Sequence, residues 1–277
     1  MNFWKLSLAA AACASAFAGG AAHAAISLPN SGNGELVLTA WDDKGTVDTA
    51  DDTSYSRDLG LVINGFASAA TNPVLVSSMQ QSSTLLTFAA DATLSGWLSG
   101  VASGDRSRIR WNVVGGDSAG DQRLVTTVAA GETVASNNSI LIGTNTNVAT
   151  FFSALNSSPT HNSLPNGSAV NVFSDNVAYG GGTSWGDKLG GKTSFITSAG
   201  MGASLNWWLL DQNGSPNGNQ VNKFQFQVDA QTPMQWTFAN DGTLTYAPTA
   251  PIPEPGTWAM MLAGLAGLGL AARRRAR

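Results

Sequence analysis

The chain is poor in the residues that carry most enzymatic and metal chemistry. Its 277 residues include one cysteine, Cys13, and two histidines, His23 and His161. Cys13 and His23 fall in an N-terminal segment with the pattern of a cleaved leader, so the chain that remains has no disulfide, no thiol nucleophile and a single imidazole. One histidine without cysteine cannot close a zinc site. A serine triad would need His161, in the polar stretch between Pro159 and Asn162, beside an activated serine. A surface histidine in a loop is the simpler expectation. Glutamate is as scarce: between the two ends only Glu35 and Glu132 occur, so a glycosidase would have to find its opposed carboxylates among aspartates that the sequence cannot place. These shortages point away from an enzyme and from any cofactor. No period of 20–50 residues repeats, which excludes a solenoid or propeller.

Charge is also sparse, at 12% of residues. Five of the fourteen basic residues (Lys5, Arg273, Arg274, Arg275 and Arg277) lie at the ends, as does Glu254 among the eighteen acidic ones. Nine basic and seventeen acidic residues remain between them, a net charge of −8. A nucleic acid or an anionic lipid surface needs a basic face, so neither is an expected partner. Disorder is not expected either, because nine tryptophans and eleven phenylalanines are spread along the chain.

The N-terminus reads as a signal peptide. Lys5 gives a short positive region, Leu6 to Ala18 is apolar, and Ala22-His23-Ala24 is a small-x-small cleavage box that would leave Ala25 first. A lipoprotein reading at Cys13 is disfavoured, since Ala10-Ala11-Ala12 precede it without the usual leucine.

The other end has three parts. Ile252 is followed by Pro253, Glu254 and Pro255, then by an uncharged run from Thr257 to Ala272, then by Arg273, Arg274, Arg275 and Arg277. The prolines fix φ and remove two N–H donors, which keeps the tripeptide extended and unpaired, as a protease substrate should be. The uncharged run, as a helix, rises about 24 Å against roughly 30 Å of hydrocarbon. It is thus a marginal anchor, and the arginines hold its far end in the cytoplasm. This order resembles the PEP-CTERM sorting signal of Gram-negative bacteria. The resemblance implies that Pro253, Glu254 and Pro255 are recognised by an exosortase, an integral-membrane cysteine protease. It also implies transient inner-membrane anchoring, with the apolar run and the arginines removed during export.

The expected organisation is a signal peptide (1–24), a β-rich ectodomain (25–247), a proline-rich stalk carrying the tripeptide (248–256), a transmembrane helix (257–272) and a basic cytoplasmic tail (273–277). Period-two alternation marks strands at 35–41, 108–114, 123–128, 204–211, 221–229 and 234–238, and Asn240-Asp241-Gly242 marks a hairpin into 243–246. Residues 59–65 are another strand candidate, 84–90 are ambiguous, and 158–192 read as loop. Asp91 is placed to cap a helix bearing Leu94, Trp97 and Leu98, and Val148, Phe151, Phe152 and Leu155 give helical spacing over 147–157. The fold class predicted is mainly β, an antiparallel sandwich-like ectodomain with one or two short helices.

Binding chemistry has few candidates. Asp42, Asp43, Asp48, Asp51 and Asp52 share one acidic loop, which offers oxygen ligands to Ca²⁺ without matching a known calcium-loop spacing. Asp117 and Asp121 are a weaker pair of the same kind. Trp185 and the Trp207-Trp208 pair could stack on sugars, with one of the pair expected in the core and the other outward. The leading expectation is an exported surface or extracellular-matrix protein with a non-enzymatic structural or adhesive role, linked through the resemblance to exopolysaccharide and biofilm. A carbohydrate- or calcium-binding module is the alternative. Ice binding comes third; it would need flat threonine ladders, and only Thr144-Asn145-Thr146 and Thr243-Leu244-Thr245 qualify.

Overall fold

Strand β1 (Glu35–Asp42) is buried at every one of its eight positions. Successive side chains of a strand point to opposite faces, so β1 feeds two cores at once. Leu36, Leu38 and Ala40 enter one, and Val37 and Trp41 enter the other. The computed structural model describes residues 25–66, 85–120, 122–214, 216–229 and 232–249. The expected leader up to Ala24, the Pro253–Pro255 tripeptide, the run 257–272 and the terminal arginines lie outside them. Among the described residues no helix is long and apolar enough to cross a membrane.

The remaining strands are β2 (Thr53–Val62), β3 (Leu86–Phe88), β4 (Arg110–Asp117), β5 (Arg123–Val128), β6 (Ser168–Val172), β7 (Ala199–Gly200), β8 (Ser204–Asp211), β9 (Asn222–Gln225), β10 (Gln227–Asp229), β11 (Thr232–Phe238) and β12 (Leu244–Pro248). They form one antiparallel sheet in the order β3-β12-β11-β8-β5-β4-β1-β2-β6, with β7, β9 and β10 as short additions. The antiparallel, mainly β expectation holds. In place of two stacked sheets, one hydrogen-bonded path curls around an inner core. No break divides it, because β8 pairs with β5 along Asn206–Asp211 and with β11 along Ser204–Asn206.

Helix α1 (Ala92–Ser99) closes the curl. The Asp91 carboxylate accepts the Leu94 amide at 2.7 Å, as the sequence predicts for a cap. The same carboxylate accepts the Tyr55 hydroxyl at 2.8 Å, Arg57 donates to the Ala89 carbonyl at 2.8 Å, and Trp97 Nε1 donates to Thr53 Oγ1 at 2.9 Å. α1 follows edge strand β3 but is fastened to β2, next to the opposite edge, so it straps the two ends of the sheet together.

The outer face is covered by α2 (Asn138–Leu155), with Leu141, Val148, Phe151, Phe152 and Leu155 fully buried. This helix is longer than its predicted half. Its first turns are rich in Asn and Thr, which are weak helix formers, and tertiary hydrogen bonds hold them. Asn138 Nδ2 donates to the carbonyls of Asn213 and Gly214, and Asn145 Nδ2 donates to that of Asp117. The stretch read as loop contains a short helix α3 (Pro159–Ser163), β6 and several 3₁₀ turns.

Candidate functional site

The end of the sheet where β1 runs into β2 gathers most of the predicted binding residues. Asp42 is fully buried and its carboxylate is taken: Arg108 Nε donates at 2.8 Å and Lys44 Nζ lies 3.1 Å away. Burial alone would raise its pKa, but the Arg108 and Lys44 bonds outweigh it and hold the carboxyl below the usual range. Asp43 and Asp48 turn back on their own loop, accepting the amides of Gly45 and Ala50 at 3.0 and 2.9 Å. Asp51 is exposed. Asp52 is 6% exposed and accepts a bond from the Tyr179 hydroxyl, while one of its oxygens has no hydrogen-bond partner. Burial first, then the charges of Asp43 and Asp51, push its pKa up. Among the described residues no three such side chains converge as a ready-made metal cage, so the five aspartates do not form the clustered site that their spacing suggested. Asp117 is likewise committed, in a buried pair with Arg123 whose Nε donates to it at 3.0 Å; Asp121 lies outside the described residues.

The expected sugar platforms are packing residues. Trp185 is 1% exposed, stacks on Phe151 at 4.0 Å between centroids, and donates Nε1 to Asn112 Oδ1 at 3.1 Å. Trp207 is buried in the inner core, against Phe226 and Trp236. Trp208, on the opposite face, is half-buried against the outer core. The pair divides as predicted, but the outward member meets covering structure because this sheet is covered on both faces there. The exposed aromatic that the sequence reading missed is Phe173, 43% exposed and edge-on to Tyr179 at 5.6 Å. No sequence signal singled it out, since its stretch lacks strand periodicity.

His161 is not a surface histidine. It is 1% exposed in α3 and its Nε2 lies 2.8 Å from Ser56 Oγ, itself 2% exposed. Burial drives its pKa down to about 4, so the ring is neutral at pH 7. Its Nδ1 has no hydrogen-bond partner, hence no carboxylate orients the ring as in a triad. A second perturbed group lies on the same strand: burial, then the charge of Glu35, raises Asp58 to about 7. Both carboxyls are nearly inaccessible, at 3% and 4% exposure.

Of the two threonine patterns, Thr144-Asn145-Thr146 lies on α2 and makes no ladder. Thr245 does join one. It is opposite Thr237 and Thr87, and Thr237 is opposite Ser204, giving a row of hydroxyls across β3, β12, β11 and β8. Ser204 and Thr237 hydroxyls are 2.7 Å apart.

Residues 251–275 match the PEP-CTERM protein-sorting motif. The chain is thus recognised through its tail, which marks it for export with a membrane-anchored sorting signal. No curated protein and no solved structure matches the chain.

Proposed function

We propose that this is an exported protein, cut from the inner membrane by an exosortase, whose ectodomain acts outside the cell as a non-enzymatic structural or adhesive component in contact with exopolysaccharide. The single observation that carries the reading is the sorting motif at 251–275. Two features support the ectodomain's part. Among the described residues, the one imidazole and its serine neighbour are buried. The hydroxyl row Thr87, Thr245, Thr237 and Ser204 runs along uncharged side chains that are exposed or half-buried, a surface suited to a hydroxyl-rich polymer.

The sorting half is tested with two epitopes, one inserted before Pro251 and one after Arg277. The first should reach the cell surface or the medium, and the second should stay with the membrane fraction or vanish. Recovery of both epitopes on one mature band would leave an ordinary tethered protein. The adhesive half is tested by co-sedimentation of the purified chain with exopolysaccharide from the producing cells. No co-sedimentation would remove that role while leaving the sorting intact.

A further inference from the structure

Of the seven large apolar side chains that are exposed among the described residues, four (Leu164, Val170, Val172 and Phe173) fall within ten residues of one another, on and beside β6. β6 is a sheet edge: it pairs with β2 and, among the described residues, no strand lies beyond it. The Asp58 amide donates to the Gly167 carbonyl at 3.0 Å, and the Phe173 amide donates to that of Asp52 at 3.1 Å. Backbone groups alternate in direction along an antiparallel ladder, so the odd-numbered residues of this stretch face β2. The N–H and C=O groups of Ser168, Val170 and Val172 therefore face outward. Among these the Val172 amide is capped, by the Asp175 carboxylate at 2.9 Å. The side chains continue an apolar surface. Val170 lies opposite Tyr55 and Val172 opposite Thr53, and half-buried Trp97 stacks on Tyr55 and donates to Thr53 Oγ1. Open edges invite pairing, and folds usually guard them with charge, proline or a bulge. Ser168–Val172 carries no charge and no proline, and no register shift interrupts its pairing with β2.

We propose that β6 is a homodimer interface, at which two copies of this chain join their edges antiparallel around a two-fold axis at Val170. The partner is a second copy because the edge is complementary to itself. In that register Val170 exchanges both backbone bonds with the other copy's Val170, and each Ser168 N–H reaches the other copy's Val172 carbonyl. Asp175 stays on the Val172 amide, which a longer foreign strand would have to displace. Charge agrees. The chain between its two ends carries −8, so two copies repel across an acidic face, whereas β6 is uncharged. Arg57 and Asp91, at its Ser168 end, offset each other at 3.9 Å. Pairing makes the two sheets continuous and covers Val170 and Val172 of each copy. One five-residue strand with its neighbours gives a contact at the low end of interface sizes, under ~1,200 Å². The dimer is therefore reversible, with a Kd of about 10–100 µM. This interface does not depend on the exopolysaccharide reading.

Sedimentation velocity of the full chain in detergent should show a monomer–dimer equilibrium between about 5 and about 500 µM. V170K sets two like charges against each other at the axis and should raise the Kd at least about tenfold. I140K, at an exposed apolar position on α2, should leave it unchanged. Geometry is tested separately in the full chain carrying Cys13→Ser. V170C should form a disulfide between copies on mild oxidation, because the Cα atoms of a hydrogen-bonded antiparallel pair lie about 5.5 Å apart. N171C, about 8 Å from its counterpart in this register, should not. The disulfide reads the interface even if V170K fails to fold, judged by circular dichroism. A chain that stays monomeric throughout, a V170K dimer as tight as the parent's, V170C left uncrosslinked, or N171C crosslinking as well as V170C overturns the proposal.

Discussion

Trp185 separates two accounts of this protein most sharply, because the sequence offers it as a sugar platform and the structure makes it a core residue. Replacing it with alanine removes a side chain that is 1% exposed and stacked on Phe151 at 4.0 Å. Truncating a buried aromatic costs about 3–5 kcal/mol. The change also strips Asn112 Oδ1 of its 3.1 Å donor in a fully buried position, and an unsatisfied buried acceptor costs a further ~1–3 kcal/mol. W185A should therefore lose on the order of 4–8 kcal/mol, out of a total near 5–15 kcal/mol for a domain of this kind. At roughly 2–4 °C per kcal/mol for this size, its Tm should fall by about 10–30 °C. W185F keeps a ring against Phe151 and forfeits chiefly the hydrogen bond, so it should lose about 1–3 kcal/mol. Urea unfolding followed by far-ultraviolet circular dichroism measures both without relying on tryptophan fluorescence. A W185A midpoint equal to the parent's, together with lost binding to exopolysaccharide, would refute the packing argument and restore the platform.

The other predictions concern linkage, ion pairing and close approach. Asp58, raised to about 7, holds a proton in the folded chain that the unfolded chain sheds, so its contribution is present below ~4 and lost as pH rises through 7. His161, lowered to about 4, works in reverse: its contribution is present above ~6.5 and lost as pH falls through 4. The two oppose each other, so D58N should unmask a loss of stability on acidification and H161Q a loss on raising the pH. Parallel pH profiles of Tm in the two variants would contradict this. R108A leaves buried Asp42 with Lys44 alone and should cost about 2 kcal/mol, less than a fully buried pair because Arg108 is 33% exposed; a loss under 0.5 kcal/mol in urea would refute it. G34A pushes a Cβ toward the Gly116 carbonyl oxygen, 2.2 Å away, whereas one at Gly65 meets nothing within 4 Å. The first should lower stability by about 2 kcal/mol or more and the second should change it by less than about 1 kcal/mol, and equal effects in thermal melts would sink the argument.

Much of the local structure was legible. The alternation of Met234, Trp236 and Phe238 gives β11, and Asp241-Gly242 gives the turn, with Asp241 accepting the Thr243 amide at 2.8 Å and Gly242 at φ 87°. Asp91 caps α1 as expected, and Leu94 and Leu98 are its buried residues. The site was less legible. The five loop aspartates were visible as a group, but that Asp42 belongs to Arg108, 66 residues away, was not. Nor was the meeting of Ser56 with His161 across 105 residues. The first turns of α2 were missed for the same reason, since Asn138 and Asn145 are weak helix formers held by partners distant in sequence.

By itself the sequence settled the sorting tail and many of the places where strands and turns fall. These depend on neighbouring residues, through fixed φ, side-chain alternation and the run of uncharged side chains. Only the tertiary structure decided that the sheet is one curled surface with a core on each face. That step turned Trp185 and His161 inward and left Asp52 short of a partner. Burial and pairing are set by contacts between strands far apart along the chain, and a linear pattern carries no record of which distant strand will arrive.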